Sequence, residues 1–152
     1  MQMREAYVSG NATAQELKAA EDAAIRDLVA KEKEVGLCAV TDGEFRRRYW
    51  HLDFLAALEG VEEVDATHWS VAFKGAQPKA ATIRLTGKVD FGRHPFLDHF
   101  RFLKEAAGDI LAKMTIPSPS MLHLICCVRA TDYAPIPRYE NEDALFEDIA
   151  LA

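Results

Sequence analysis

The sequence predicts an α/β fold, in which helices pack against a sheet of parallel strands. Two apolar runs, residues 37–40 and 110–116, are too short for helices and have the length of buried strands. Between them, residues 96–107 carry apolar side chains at helical spacing and are followed by Gly108, a typical helix stop. Because consecutive strands joined by a helix usually pair in parallel, we expect the two strands to lie side by side.

Three further helices are predicted from capping residues and periodicity. Thr13 and Glu16 have the spacing of a capping box, which indicates a helix over residues 14–35. Its predicted packing face consists of Leu17, Ala20, Ala24, Leu28 and Val35, flanked by Ile25 and Val29. Residues 50–58 indicate a short helix that ends at Gly60, and Asn141 can cap a last helix that begins near residue 142. The polar segment 1–11 shows no strand pattern.

Residues 61–90 predict an inserted β-hairpin. Residues 67–73 and 81–89 alternate between apolar and polar side chains, as antiparallel strands do, and Gly75 and Pro78 suit the connection. Such a hairpin can act as a lid, form a dimer contact, or only cover the edge of a sheet. The sequence leaves these three roles open.

The composition excludes several classes of protein. A net charge of -6 argues against nonspecific nucleic-acid binding, which requires a basic surface. No apolar stretch approaches a membrane span and no signal peptide is recognisable, so we expect a cytoplasmic protein with no membrane partner. The 3 cysteines, Cys38 in the first predicted strand and the adjacent Cys126 and Cys127, do not form a disulfide framework and should be reduced.

Residues 41–47, with the sequence TDGEFRR, directly follow the first predicted strand. Ligand sites of parallel sheets lie at the carboxyl ends of the strands, so Asp42 and Glu44 are candidates for substrate contact. Gly43 permits a sharp turn between them, and the arginines that follow can balance the carboxylates or bind an anion. The pattern alone is equally typical of a plain strand-to-helix turn with solvated charges.

This motif, followed by WHLDFL at residues 50–55 and KMTIPSPSMLH at residues 113–123, resembles the cobalamin-independent methionine synthase family, in particular its short single-barrel members. The resemblance extends from about residue 6 to residue 152 and covers less than half of a family barrel. It implies a partial TIM (β/α)8 barrel with the hairpin of residues 61–90 as an insertion. The chain is therefore expected to be a fragment, the N-terminal part of such a barrel without its first strand.

Members of the resembled family transfer a methyl group from a folate to the sulfur of homocysteine, which zinc holds as a thiolate. The resemblance implies that Glu44 binds the amino group of the substrate. The full set of candidate substrate-binding residues is Glu44, Asp42, Arg47, His51, Ser118 and Ser120. Asp42 departs from the larger enzymes, which have a histidine there. His123 stands near a position that an aromatic ring occupies in the larger enzymes, which leaves methyl-folate binding open.

The zinc ligands of the family have no counterparts in this chain, so the resemblance implies no metal site and no activity for the chain alone. His123, Cys126 and Cys127 do not offer the usual spaced zinc ligands. The open strand edges of an incomplete barrel should be covered by self-association or by a complementing chain. The alternatives are a non-catalytic or truncated self-associating module, and a barrel of the uroporphyrinogen decarboxylase type.

Overall fold

The computed structural model describes residues 2–65, 81–128 and 139–152. The fold is mixed α/β and divides into two compact units, residues 1–48 with 96–115 and residues 49–95 with 116–152. Its helices are α1 (Gln2–Val8), α2 (Ala14–Glu34), α3 (Leu52–Leu55), α4 (Phe96–Ala107), α5 (Pro119–His123) and α6 (Glu142–Leu151). Its strands are β1 (Ala39–Val40), β2 (Glu59–Asp65), β3 (Ala81–Asp90) and β4 (Leu111–Ala112). No helix among the described residues is long and apolar enough to cross a membrane.

The first unit contains the predicted parallel pair of strands. Ala39 of β1 aligns with Leu111 of β4, and the amide of Lys113 donates to the carbonyl of Val40 over 2.9 Å. The predicted bounds of α4 are confirmed. Both strands are shorter than predicted because only two residues of each chain segment pair, and Leu37 and Cys38 are exposed outside β1.

The core of the first unit lies between α2, α4 and the strands. It consists of Ile25, Val29, Val40, Leu103 and Ala107. The capping box of α2 is confirmed, since Glu16 Oε2 accepts the Thr13 amide over 2.7 Å and Thr13 Oγ1 accepts the Glu16 amide over 3.2 Å. The predicted packing face of α2 is wrong in part. Ile25 and Val29, expected at its flank, are the buried residues, while Val35 is exposed.

Helix α1 was not predicted, because its seven residues are too few to show a helical period, and none of them is buried. An ion pair of 2.6 Å between Arg4 and Glu21 holds α1 against α2. The Arg4 guanidinium also donates to the carbonyl of Phe45 over 2.7 Å. Polar contacts therefore hold this helix in place, and a search of the sequence for a buried apolar face does not find it.

The second unit contains an antiparallel pair, β2 with β3. The strand predicted over residues 81–89 is confirmed as β3, whereas the one predicted over residues 67–73 lies outside the described residues. The helix predicted over residues 50–58 is shortened to α3, and Gly60 lies in β2 at an irregularity of the pairing. With a φ of 74°, Gly60 approaches the Lys88 backbone so closely that a Cβ would meet the Lys88 carbonyl oxygen at 2.2 Å. Gly60 thus serves a strand bulge here and not a helix end.

Helix α6 of the second unit has the predicted Asn141 cap and one buried face. Asn141 Oδ1 accepts the amide of Ala144 over 2.9 Å, and Leu145 and Ile149 are buried. The sequence of residues 126–139, which contains Pro135 and Pro137, predicts a loop. This prediction is wrong for its beginning, because a π-helical turn covers Leu124–Val128. Residues 129–138 lie outside the described part of the chain.

Candidate functional site

The candidate site of the first unit is a tight turn just beyond β1. Gly43 and Glu44 both have left-handed backbone conformations, with φ of 60° and 57°, and the Phe45 amide donates to the carbonyl of Asp42 over 3.2 Å. Two consecutive positive φ angles are characteristic of type I′ turns. Among the described residues, Glu44 is the only residue other than glycine that has a positive φ angle. A side chain held in a disfavoured backbone conformation often marks a functional position.

Asp42 stabilises this turn from the inside. Its side chain is 3% exposed, and Oδ1 accepts the backbone amide of Glu44 over 3.0 Å. A carboxylate that binds its own chain two residues further on is a common turn device. Asp42 therefore fixes the backbone from which the Glu44 side chain projects.

The two oxygens of the Glu44 carboxylate differ in the hydrogen bonds that they accept. Oε1 accepts the hydroxyl of Thr115 over 2.7 Å and Nη1 of Arg47 over 3.2 Å. Oε2 accepts no hydrogen bond from any described residue, and the side chain is 38% exposed. One carboxylate oxygen is thus held by the protein, and the other is open to a donor from solution.

Arg47 lies beneath this carboxylate, with a side chain that is 3% exposed. Its Nη2 donates to the carbonyl oxygen of Thr115 over 2.6 Å, and its guanidinium lies 4.8 Å from the ring centre of Phe96. An aromatic face, a carbonyl and a carboxylate together hold the planar cation in one orientation. Arg47 is therefore committed to internal contacts that include Glu44.

Arg46, the preceding residue, turns to the other side and anchors the turn to α2. Its buried guanidinium is 2.5 Å from Asp22 Oδ1 and 3.6 Å from Glu21 Oε2, and it lies 4.8 Å from the ring centre of Phe102. Burial raises the pKa of Glu21, although Arg4 and Arg46 oppose the shift. The two consecutive arginines thus use two different aromatic rings of α4.

Helix α2 also holds the beginning of the motif. Glu32 accepts the Thr41 amide at Oε2 over 2.8 Å and the Thr41 hydroxyl at Oε1 over 2.9 Å. Together with the contacts of Arg46, this fixes both ends of the segment from Thr41 to Arg46 on one helix. The geometry of the turn therefore depends on α2 as well as on its own sequence.

Three residues of this neighbourhood were missed in the sequence analysis: Glu32, His99 and Thr115. His99 lies on α4 one turn after Phe96, with the two rings 5.3 Å apart. Burial lowers the pKa of His99, the charge of Arg46 adds to the shift, and Asp42 opposes it. The signal for Thr115 was available, because it follows the second strand of a parallel pair whose carboxyl ends meet at one edge.

The remaining candidates, His51, Ser118 and Ser120, belong to the second unit. His51 is half-buried, with its ring 4.6 Å from that of Trp50. The Ser118 and Ser120 hydroxyls are 2.9 Å apart at the start of α5. Pro117 and Pro119 predict a kinked segment here, whereas the structure has a short helix. The structure therefore brings Asp42, Glu44 and Arg47 together in the first unit, and Ser118 with Ser120 in the second.

The residues that the structure describes do not fit zinc. No group of three or more His, Cys, Asp or Glu side chains among them is arranged to hold a metal ion. Burial raises the pKa of the Cys126 thiol to about 12, and its Sγ donates to the carbonyl of Ile83 over 3.6 Å. Burial also raises the pKa of Cys127. Because zinc binds thiolates, two protonated neighbouring thiols are poor ligands.

Two curated proteins of Bacillus subtilis (strain 168) are similar to this chain. The protein named "Uncharacterized protein YxjH" is 41% identical over 149 residues, which is 98% of this chain and 38% of that protein. The protein named "Uncharacterized protein YxjG" is 48% identical over 114 residues, 75% of this chain and 30% of that protein. The chain thus spans less than two fifths of the length of these relatives. No family model matches it.

Two solved structures are also similar. One, from Listeria monocytogenes, bears the name "Putative Vitamin-B12 Independent Methionine Synthase" and matches with a TM-score of 0.75 and 40% identity, over 99% of this chain and 40% of that one. The other, a B12-independent methionine synthase from Shewanella sp. W3-18-1 in complex with selenomethionine, is 18% identical with a TM-score of 0.62, over 92% of this chain and 38% of that one. This second match concerns the fold alone. The comparisons support a relationship between this chain and the vitamin-B12-independent methionine synthase family, over the part of such a protein that the chain spans.

Proposed function

We propose that this chain carries the ammonium-binding part of a methyltransferase of the vitamin-B12-independent methionine synthase type. In the proposed reaction, a methyl-folate donates a methyl group to the sulfur of homocysteine, and Glu44 binds the amino group of that acceptor. The observation that carries the proposal is the Glu44 carboxylate, which stands on a strained turn with one oxygen open. The likeness to the Listeria structure supports the reaction class.

The contacts of Glu44 suit the recognition of an ammonium group. A charge-assisted hydrogen bond from an ammonium to Oε2 is stronger than a bond between neutral groups. Asp42 sets the backbone, and Arg47 holds the other oxygen, so the open oxygen is oriented before a ligand arrives. An oriented acceptor spares the ligand the entropic cost of ordering the side chain.

We also propose that the first unit corresponds to one part of a TIM barrel. The parallel pairing of β1 with β4 and the presence of α4 in their connection support this reading. In such barrels the active site lies at the carboxyl ends of the strands, which is where the Glu44 turn lies. In the complete enzyme, His51, Ser118 and Ser120 are proposed to bind substrate, with the two serines on the folate side.

Zinc is proposed to act in the complete enzyme, bound by residues other than those described here. Because the described side chains do not fit the metal, no step of methyl transfer is assigned to them. The chain alone is therefore proposed to bind an amino-acid thiol without transferring a methyl group. We propose a cytoplasmic location, and association of the exposed strand edges with a second copy or a complementing chain.

The test is to replace Glu44 by Gln and to measure binding of L-homocysteine by isothermal titration calorimetry. Losing a charged hydrogen bond should cost about 1.5–3 kcal/mol, an affinity loss of about tenfold to one hundredfold. Glu62→Gln is the matched control, because Glu62 is also an exposed carboxylate bound to an arginine, Arg84, over 3.0 Å. We expect Glu62→Gln to bind L-homocysteine as the unaltered chain does.

A second ligand separates recognition of the amino group from recognition of the thiol. 4-Mercaptobutyrate is homocysteine without its amino group, so its binding should not respond to Glu44→Gln. If Glu44→Gln shifts the urea midpoint strongly and leaves L-homocysteine binding unchanged, Glu44 has a structural role and the proposed function is wrong.

A further inference from the structure

We propose that Thr115 is a positioning residue whose hydroxyl keeps the Glu44 carboxylate turned so that Oε2 alone faces an ammonium ligand. The inference rests on the proposed function of Glu44 and adds a second residue to ammonium recognition. Thr115 lies three residues beyond β4, and Glu44 lies four residues beyond β1. Because the two strands are parallel, both residues emerge at the same edge.

Thr115 contacts both members of the Glu44–Arg47 ion pair. Its hydroxyl donates to Glu44 Oε1 over 2.7 Å, while its backbone carbonyl accepts Nη2 of Arg47 over 2.6 Å. Nη1 of the same guanidinium donates to Glu44 Oε1 over 3.2 Å. The three residues thus form a closed ring of hydrogen bonds in which both bonds to the Glu44 carboxylate are made at Oε1.

This arrangement prevents a competing one. Arginine and carboxylate side chains frequently pair through two parallel hydrogen bonds, which would occupy both oxygens of Glu44. Here the Thr115 hydroxyl draws Oε1 to its own side, while the Thr115 backbone carbonyl occupies only one of the two hydrogens of Nη2. Without the hydroxyl, the carboxylate can rotate into the two-pronged pair with Arg47. Oε2 would then be used inside the protein and lost to a ligand.

The position of Arg47 makes such a rotation effective. Its guanidinium is nearly buried and stacked on Phe96, so the cation stays in place while the half-exposed carboxylate moves. Glutamate has three rotatable side-chain bonds, and one contact at 3.2 Å is a weak constraint on them. The short bond from Thr115 supplies the second constraint.

The ligand class follows from the charge of the open atom. An open oxygen of an ionised carboxylate favours a cationic N–H donor, which suits a primary ammonium. Thr115 is therefore expected to affect the affinity for ligands that carry an amino group, and to leave binding of the same ligands without one unchanged.

The test uses Thr115→Val, which keeps the branched shape and removes the hydroxyl, and Thr115→Ser, which keeps the hydroxyl. Calorimetric titrations with L-homocysteine and with 4-mercaptobutyrate separate the two ligand classes. We expect Thr115→Val to bind L-homocysteine about threefold to tenfold more weakly, the range of one exposed hydrogen bond. Binding of 4-mercaptobutyrate should not change, and Thr115→Ser should bind both ligands as the unaltered chain does.

A double-mutant cycle distinguishes positioning from a general structural effect. If Thr115 acts through Glu44, adding Thr115→Val to Glu44→Gln should cause little further loss of L-homocysteine affinity. Equal weakening of both ligands by Thr115→Val, or full additivity with Glu44→Gln, would overturn the inference. So would an L-homocysteine affinity equal to that of the unaltered chain.

A second measurement separates the failure of this inference from the failure of the proposed function. If the unaltered chain binds neither ligand, the proposed function fails for this chain, and the Arg47 guanidinium is then observed by nitrogen NMR. Its Nη signals should change in Thr115→Val, where the ion pair rearranges, and not in Thr115→Ser. Unchanged Arg47 signals in Thr115→Val would refute the positioning role of Thr115.

Discussion

Replacing Gly43 by Ala tests whether the strained turn depends on glycine. Gly43 has a φ of 60°, and a Cβ at this position would lie 2.6 Å from Leu28 Cδ2 and 3.1 Å from Phe45 Cε1. A side chain at Gly43 therefore meets two obstacles, the left-handed backbone and the packing of α2 against the turn. Both act on the folded state, so the free energy of unfolding should decrease.

The size of the effect follows from these two contributions. A non-glycine residue in the left-handed region costs about 1–2 kcal/mol, and pushing the half-buried Leu28 side chain off its rotamer adds about 0.5–1.5 kcal/mol. We expect a total loss of about 1.5–3.5 kcal/mol. Gly36→Ala is the matched control, because Gly36 has a φ of 79° and no heavy atom within 4 Å of its added Cβ. It should lose only the backbone contribution.

Urea unfolding followed by far-ultraviolet circular dichroism measures both variants, since α1, α2 and α4 supply most of the secondary structure of the first unit. The slope of the free energy against urea should stay constant while the midpoint falls. If Gly43→Ala is no less stable than Gly36→Ala, the contact with Leu28 is not a constraint. If neither variant loses stability, the left-handed conformations themselves are refuted.

Two further predictions concern stability and association. Burial lowers the pKa of His94, whose Nε2 donates to the carbonyl of Phe54 over 3.0 Å, so the unfolded state takes up a proton that the folded state resists. The free energy of unfolding of the second unit should be greatest above the unfolded pKa of about 6.5 and decrease as the pH falls below it. Urea titration followed by tryptophan fluorescence measures this pH dependence. His94→Gln should flatten it, and an unchanged pH dependence in this variant would contradict the role of His94. Leu111 on β4 is 73% exposed, so Leu111→Lys should weaken the proposed self-association through the strand edges. Sedimentation velocity measures this association. A chain that stays monomeric at every concentration would contradict the proposed self-association.

Elements defined by local signals were predictable. Thr13 and Glu16 predicted the start of α2 because a capping box is formed within four residues of sequence, and α4 ends before Gly108 as its spacing indicated. The lengths of the strands were overestimated, because an apolar run such as residues 37–40 shows which side chains can be buried and not which residues pair with another strand. Leu37 is apolar and exposed, and the pairing begins only at Ala39, opposite Leu111, the first residue of β4.

The candidate site was predictable where its residues are neighbours in sequence. Asp42, Glu44 and Arg47 lie in one turn, and the structure brings them together as the motif suggested. Thr115 is 71 residues from Glu44, and its contact depends on the register of two strands that the sequence does not determine. The left-handed conformation of Glu44 was also hidden, because glutamate has no preference for it.

The attachment of Thr41 to Glu32 links the dynamics of the site to a helix. The segment from Thr41 to Arg46 is fastened at one end to Glu32 and at the other to Asp22, both on α2. Local opening of this stretch of α2 should therefore free both ends of the segment that carries Glu44. The exchange of the Thr41 amide hydrogen, which is donated to Glu32, therefore reports the free energy of that opening when reclosing is fast. The stability of the oriented carboxylate against local opening is thus readable from the exchange of a single backbone proton.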